Sequence, residues 1–254
     1  MSSGRPPAAG EAALARVRIV LSHPAGPGNI GASGRALKTM GLTRLVLVDP
    51  RQFPDARATE SAVGAADILA GAVVCSTLDE ALTGATLTIA LTARPRDLAP
   101  PSVDARDAAR LAVAEAASGG EVAFVFGTEA SGLSNEEVLR CQRAAHIASN
   151  PLFSSLNLAA AVQVVAYELR YALIGATAIP SERTPAATHG ETEGLFSHLE
   201  ASLARSGFLD PANPRRLMER LRRIFGRARL ESQEVNVLRG MLAAWDEALR
   251  GRER

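Results

Sequence analysis

At 254 residues, 47% apolar and 22% charged, the chain has the composition of a globular protein with a core large enough for one medium domain and an appendage. Its two cysteines, Cys75 and Cys141, lie far apart and outside any C-x-x-C pair, which speaks against a zinc site or a disulfide framework and fits a reducing cytoplasm. A net charge of +1 conceals an uneven distribution: from Arg205 to Arg229 eight arginines face only Asp210 and Glu219, so the C-terminal third is a basic patch of guanidinium groups suited to phosphate.

In chain order, residues 1–15 read as a flexible tail, rich in Pro, Ala and Gly and without the apolar run of a secretory signal. A β-branched run at 17–21 predicts a strand, followed by a Pro/Gly-rich loop and a helix that begins about Ile30 and stops at Gly41. Further strands are expected at 45–48, 71–74, 86–91, 121–126 and 145–148, and helices near 61–69, 104–117 and 135–141. The last of these opens on a capping box, Ser134 to Glu137. Such alternation predicts an α/β fold, a mainly parallel sheet with helices on both faces. Residues 156–178 are the most apolar stretch, but Asn157, Gln163, Glu168 and Arg170 interrupt them, so a buried helix is expected there and no membrane span. A stretch rich in Thr, Pro, Ala and Glu at 177–193 marks a boundary. Beyond it, helices are expected at 195–206, 215–227 and 231–249, with Leu217, Leu221, Ile224 and Phe225, then Val235, Leu238, Leu242 and Trp245, at helical spacing for a small bundle. The organisation is a tail (1–15), an α/β domain (16–178), a linker (179–193) and a helical extension (194–254).

Gly28, Gly31 and Gly34 precede a helix, and the next strand ends at Asp49, as in a dinucleotide-binding unit. Against that reading, the segment from Ser22 to Pro27 separates the strand from the first glycine, and no acid/base pair for hydride chemistry is evident. Close packing of the helix on the sheet accounts for the glycines equally well. Asn29 is suited to N-cap the helix. Arg35, near the positive end of the macrodipole, gains nothing from the helix. Glu129 sits between Gly127 and Gly132 in a turn after an apolar strand, a segment that is most often a plain connector. Ser155 reads as the N-cap of the long apolar helix, with Asn157 in its first turn. The histidines His23, His146, His189 and His198 show no ligand spacing, His146 reads as a satisfied core residue, and no metal is expected.

Three segments, Pro27-Gly-Asn-Ile-Gly-Ala-Ser-Gly-Arg35, Phe124-Val-Phe-Gly-Thr-Glu-Ala-Ser-Gly-Leu133 and Asn150-Pro-Leu-Phe-Ser-Ser-Leu-Asn-Leu158, together resemble the signature motifs of the SPOUT ribose 2'-O-methyltransferases, RNA-modifying enzymes that use S-adenosylmethionine. The resemblance covers residues 17–178 and implies a C-terminal trefoil knot, an exception to the rule that chains stay unknotted. It implies that Asn29 positions the reacting ribose and Arg35 acts on it, and that Ser155 and Asn157 lie close to the transferred methyl. Ser154, Ser155 and Leu156 would hold the donor through backbone groups, while Leu91, Thr92, Ala93, Gly127 and Ile147 would line its adenosine pocket at the strand ends. Glu129, water and phosphate are the candidate acceptors for the 2'-hydroxyl proton, because a guanidinium hardly deprotonates. Thr128 departs from the family, where Arg or Pro often stands.

The runs Leu221-Arg-Arg-Ile-Phe-Gly-Arg-Ala228 and Glu231-Ser-Gln-Glu-Val-Asn-Val-Leu-Arg-Gly240 look like the helical extension of the TrmJ subgroup. That likeness implies a cytoplasmic homodimer, without membrane or metal, that methylates nucleotide 32 (C and/or U) in the tRNA anticodon loop. The tRNA contacts would come from Arg215, Arg216, Arg220, Arg222, Arg223, Arg227 and Arg229. A related enzyme acting on ribosomal RNA or another tRNA position would share the motifs but not the tail, and a non-catalytic RNA-binding protein would need the basic patch without Arg35 and Ser155 together.

Overall fold

The computed structural model of the protein describes residues 9–93, 99–175 and 186–252. Its first described element is a short helix, α1 (Ala9–Leu14), at the end of the stretch expected to be a loose tail, with Ala13 and Leu14 buried in the core; residues 1–8 of that stretch lie outside the described residues. Seven strands follow, interleaved with helices: β1 (Val17–Ser22), β2 (Arg44–Val48), β3 (Val73–Cys75), β4 (Leu87–Leu91), β5 (Ser102–Asp104), β6 (Val122–Phe126) and β7 (Arg143–His146). They form one wholly parallel sheet in the order β3-β2-β1-β6-β4-β7-β5, which bears out the expected α/β architecture. In register, Ile19 stands beside Leu45 on one side and Phe124 on the other, and Ile89 continues the row.

Strands β1, β4 and β6 are buried along their whole length, so their sequences are mainly apolar on both faces where a half-solvated strand would alternate, with Arg18, Ser22 and Thr88 as buried polar exceptions. Val17, Ile19 and Leu21 pack with helices α2 (Pro27–Met40), α6 (Ala105–Ala117) and α8 (Leu158–Gly175). Val20 and Val125 face the opposite core, closed by α5 (Leu78–Leu82) and α7 (Asn135–Leu139).

Several boundaries differ from the sequence reading. Helix α2 starts at Pro27, whose fixed φ suits the first helical position, and Gly26 is the N-cap. Asn29 is therefore inside the first turn and does not cap. The single helix expected at 61–69 is two, α3 (Ala56–Ala62) and α4 (Ala66–Ala70), broken where Val63 and Gly64 take φ of 20° and 77°. Helix α8 begins at Leu158, so its cap is not Ser155. Asn157 fills that role, its Oδ1 accepting from the amides of Ala159 and Ala160 at 3.0 and 3.3 Å. By length and composition α8 could cross a membrane. Val162, Val165, Ala166 and Leu169 are fully buried in the core, however, while Tyr167, Tyr171 and Ile174 are 50%, 56% and 75% exposed, so it is buried on one face only.

Residues 176–185, most of the expected linker, lie outside the described residues. The rest of it is structured. Thr188 and Glu191 form a capping box that opens α9 (His189–Arg205), and the His189 amide donates to the Ala85 carbonyl at 2.7 Å. Helix α9 pairs with α11 (Ser232–Arg252) through Leu195, Val235 and Leu242. Helix α10 (Leu217–Ala228) has no buried residue and joins the pair only along α9, where Phe225 meets Phe196 with ring centroids 6.1 Å apart, so the expected bundle is a loose one.

Candidate active site

The three motifs converge at the carboxyl ends of the parallel strands, where open α/β sheets place their ligands. Glu129, in the turn after β6, is the junction. Its carboxylate accepts from the amides of Ala25 and Gly26, both at 2.9 Å, and from Asn29 Nδ2 at 3.0 Å. Asn29 Oδ1 in turn accepts from Asn157 Nδ2 at 2.9 Å. One hydrogen-bonded chain thus ties the second motif to the first and the first to the third. Partial burial pushes the Glu129 carboxyl up, but the bonds donated by Ala25, Asn29 and Gly26 outweigh it and hold the group below the usual carboxylate range. An ionised carboxylate with its lone pairs so engaged is an anchor, and a poor acceptor for a proton.

Beside this junction is a cavity of about 180 Å³, walled by Leu91, Thr92 and Ala93 from the end of β4, by Gly127 to Leu133 after β6, and by Ile147, Ser154, Ser155 and Leu156 after β7. The turn after β6 requires glycine: a Cβ on Gly127 would stand 2.1 Å from the backbone of Gly132 and Leu133. The third-motif loop is shaped by Asn150, whose Oδ1 accepts from the Leu152 amide at 3.0 Å, and by Ser149 Oγ, which donates to the Ser154 carbonyl at 3.3 Å. A slot whose apolar side is formed by Leu91, Ile147, Leu156 and Leu158 and whose remaining lining includes Thr92, Ser131, Ser154 and Ser155 fits a flat heteroaromatic ring joined to a polar chain.

The structure gathers all eight residues predicted for the donor around this one cavity and brings Asn29, Glu129 and Asn157 to its edge. Arg35 is not brought there. It is exposed in the third turn of α2, beyond the reach of the dipole argument, and it does not line the cavity. Six residues on from Asn29, its side chain leaves the helix about 120° around the axis.

The seven arginines of the tail divide. Arg222 Nη2 pairs with Glu193 at 2.7 Å and its guanidinium lies 4.4 Å from the Phe196 ring centroid, and Arg229 pairs with Glu115. Arg222 is spent in packing α10 on α9 and Arg229 in docking the extension on α6, and burial lowers the Arg229 pKa. Arg215, Arg216, Arg220, Arg223 and Arg227 form no ion pair with any described residue. Arg140 extends the docking, at 2.8 Å from Asp79 and 3.2 Å from Glu193, and Asp79 also meets the buried His189 at 3.1 Å. Nothing in the sequence signals these partnerships. His146, expected in the core, is exposed at the end of β7, because the strand stops there and the chain turns into the third-motif loop.

Residues 16–167 match the model of the SpoU rRNA Methylase family, and residues 190–254 match that of the tRNA methyltransferase TrmJ, C-terminal domain. The chain is 46% identical over 248 residues to the tRNA (cytidine/uridine/adenosine-2'-O-)-methyltransferase TrmJ of Pseudomonas aeruginosa, covering 94% of this chain and 96% of that one. It is 45% identical over 244 residues to the tRNA (cytidine/uridine-2'-O-)-methyltransferase TrmJ of Klebsiella pneumoniae, covering 94% and 100%. Among solved structures, TrmJ from Z. mobilis ZM4 superposes with a TM-score of 0.80 at 32% identity, over 90% of this chain and 98% of that one. With its motifs at one cavity and its tail matched to that C-terminal domain, the chain belongs to the SpoU methylase family, in its TrmJ branch of tRNA 2'-O-methyltransferases.

Proposed function

We propose that this methyltransferase modifies the ribose 2'-hydroxyl of nucleotide 32, cytidine and/or uridine, in the anticodon loop of tRNA, taking the methyl group from S-adenosylmethionine. The observation that carries the reading is the chain Glu129–Asn29–Asn157, which fixes three motif loops around a cavity shaped for the donor. Bound there, S-adenosylmethionine supplies a methyl group activated on a sulfonium. The protein's part is orientation: Leu91, Ile147 and Leu156 would flank the donor, the 147–157 loop would hold it through peptide groups, Ser155 lines the cavity, and Asn157 is tied beside it by its bond to Asn29. Asn29, locked between Glu129 and Asn157, positions the ribose. Arg35 stays protonated, stabilises the developing alkoxide and holds a phosphate, while the proton leaves to water or phosphate.

In this reading the protein works in the cytoplasm as a homodimer, and Arg35 serves the partner subunit's site. Its exposure away from its own cavity supports that, as does the apolar surface that Tyr167, Tyr171 and Ile174 present on α8. The knot is supported by the place of β7, which pairs with β4 and β5 although those strands are joined earlier in the chain. The domain division follows: a methyltransferase domain through α8 and a basic extension that recruits tRNA. A tRNA transcript carrying 2'-deoxycytidine at position 32 tests the assignment. It should accept no methyl group from the purified protein, whereas the all-ribose transcript does; equal incorporation into both would refute position 32.

A further inference from the structure

Two clefts adjoin the donor cavity, and charge tells them apart. One, of about 1010 Å³, lies beyond the second-motif turn, where Asp79, Glu136 and Glu137 outnumber Arg140, itself paired with Asp79, Glu136 and Glu193, so the cleft disfavours a polyanion. The other, of about 860 Å³, shares Thr92, Ile147 and Ser154 with the donor cavity and runs on past His146 to Arg223 and Arg227. These two arginines stand four residues apart on one face of α10, without an ion pair to any described residue. Their neighbours Arg222 and Arg229 turn away onto Glu193 and Glu115. Between the two, the carbonyl of Gly226 accepts from Arg143 Nη1 at 2.9 Å, which pins that turn of the helix to the start of β7. The free cations are thus held beside the reacting site by the catalytic domain itself, and do not hang from a separate module.

We propose that this groove is the subsite for the RNA strand adjoining the target nucleotide, with Arg223 and Arg227 on its phosphates and His146 stacked on the neighbouring base. The proposal rests on the reading above and adds to it a register: phosphates seized a fixed distance from the donor cavity set which ribose enters it.

The test uses the full-length protein and an anticodon stem-loop RNA. The double variant Arg223→Gln/Arg227→Gln should raise the KM for the stem-loop about tenfold or more and lower its salt slope by about 1.4, at ~0.7 per phosphate contact on a single strand. Its affinity for S-adenosylmethionine by calorimetry should be unchanged, which also shows that it folds. His146→Ala should raise KM and His146→Phe, which keeps a stacking ring, should restore it. A wild-type KM and salt slope in the double variant would overturn the groove. A wild-type protein that methylates nucleotide 32 neither in the stem-loop nor in whole tRNA but modifies another RNA would overturn the substrate reading instead, and the same variants on the RNA it does modify would then decide the groove.

Discussion

Glu129 holds the three motif loops together through groups that charge and shape both govern, so its substitution separates anchoring from proton transfer. In Glu129→Gln one of the amides of Ala25 and Gly26 faces an NH₂ group, and the loss of a hydrogen bond to a charged acceptor at this half-exposed site costs about 1 kcal/mol. Methyl transfer should fall about tenfold or more through lost positioning. The pH dependence has a definite sign. The folded carboxyl titrates below its ordinary 4.5, so its stabilisation is complete above that pH and is lost as pH falls through the lowered value. Melting curves of wild type and Glu129→Gln should therefore differ at neutral pH and converge in acid; a constant gap into strong acid would contradict the anchoring role. Arg35→Ala is the complementary case. Transfer should drop by about two orders of magnitude, as when a transition-state charge loses its partner, while calorimetry shows donor affinity nearly intact. Loss of the donor would place Arg35 wrongly.

The residues of this junction were legible as residue types and not as partners. An asparagine before a helix reads as a cap, and only the earlier start of α2 at Pro27 frees the Asn29 side chain to bridge Glu129 and Asn157.

At the scale of elements, Gly31 shows what a motif glycine can owe to packing. A Cβ there would stand 2.0 Å from the Ala58 carbonyl, so α2 and α3 touch backbone to backbone. Gly31→Ala should cost about 1–3 kcal/mol in urea unfolding, the range for forced overpacking; an unchanged midpoint would mean that the two helices part easily. The glycine spacing announces close packing, but its partner is hidden, because residues 56–62 carry no strong apolar period. Short elements such as α5 and the edge strand β5 escaped for a related reason: five or three residues have little propensity of their own and are held by the sheet they close. The central strands were plain because burial on both faces leaves an apolar run, unbroken in β6 and interrupted only by Thr88 in β4. In the extension, eight arginines look alike in sequence. Which of them are paired and which stay free depends on Glu193, Glu115 and, for Arg205, Asp246, and only the fold brings these near.

For the whole molecule, the extension and the dimer make separable claims. A chain ending at Ile179 should still bind S-adenosylmethionine, since the cavity residues lie before that point, but should bind tRNA far more weakly because phosphate contacts dominate such affinity. Equal tRNA affinity at physiological salt would refute the role of the basic helices. Arg35→Ala and Ser155→Ala, each inactive alone, should regain activity when co-expressed if Arg35 crosses to the partner's site. Isologous pairing puts about half of the dimers in the mixed class with one intact site each, so the ceiling is roughly a quarter of wild-type activity. Verified mixed dimers that stay inactive would return Arg35 to its own subunit. The most direct test of the function is a nucleotide-resolution map of 2'-O-methylation in tRNA from cells lacking this protein, with and without the wild-type chain restored. The modification at position 32 should vanish in its absence and return with it; a map unchanged at position 32, or altered only elsewhere, would contradict the assignment.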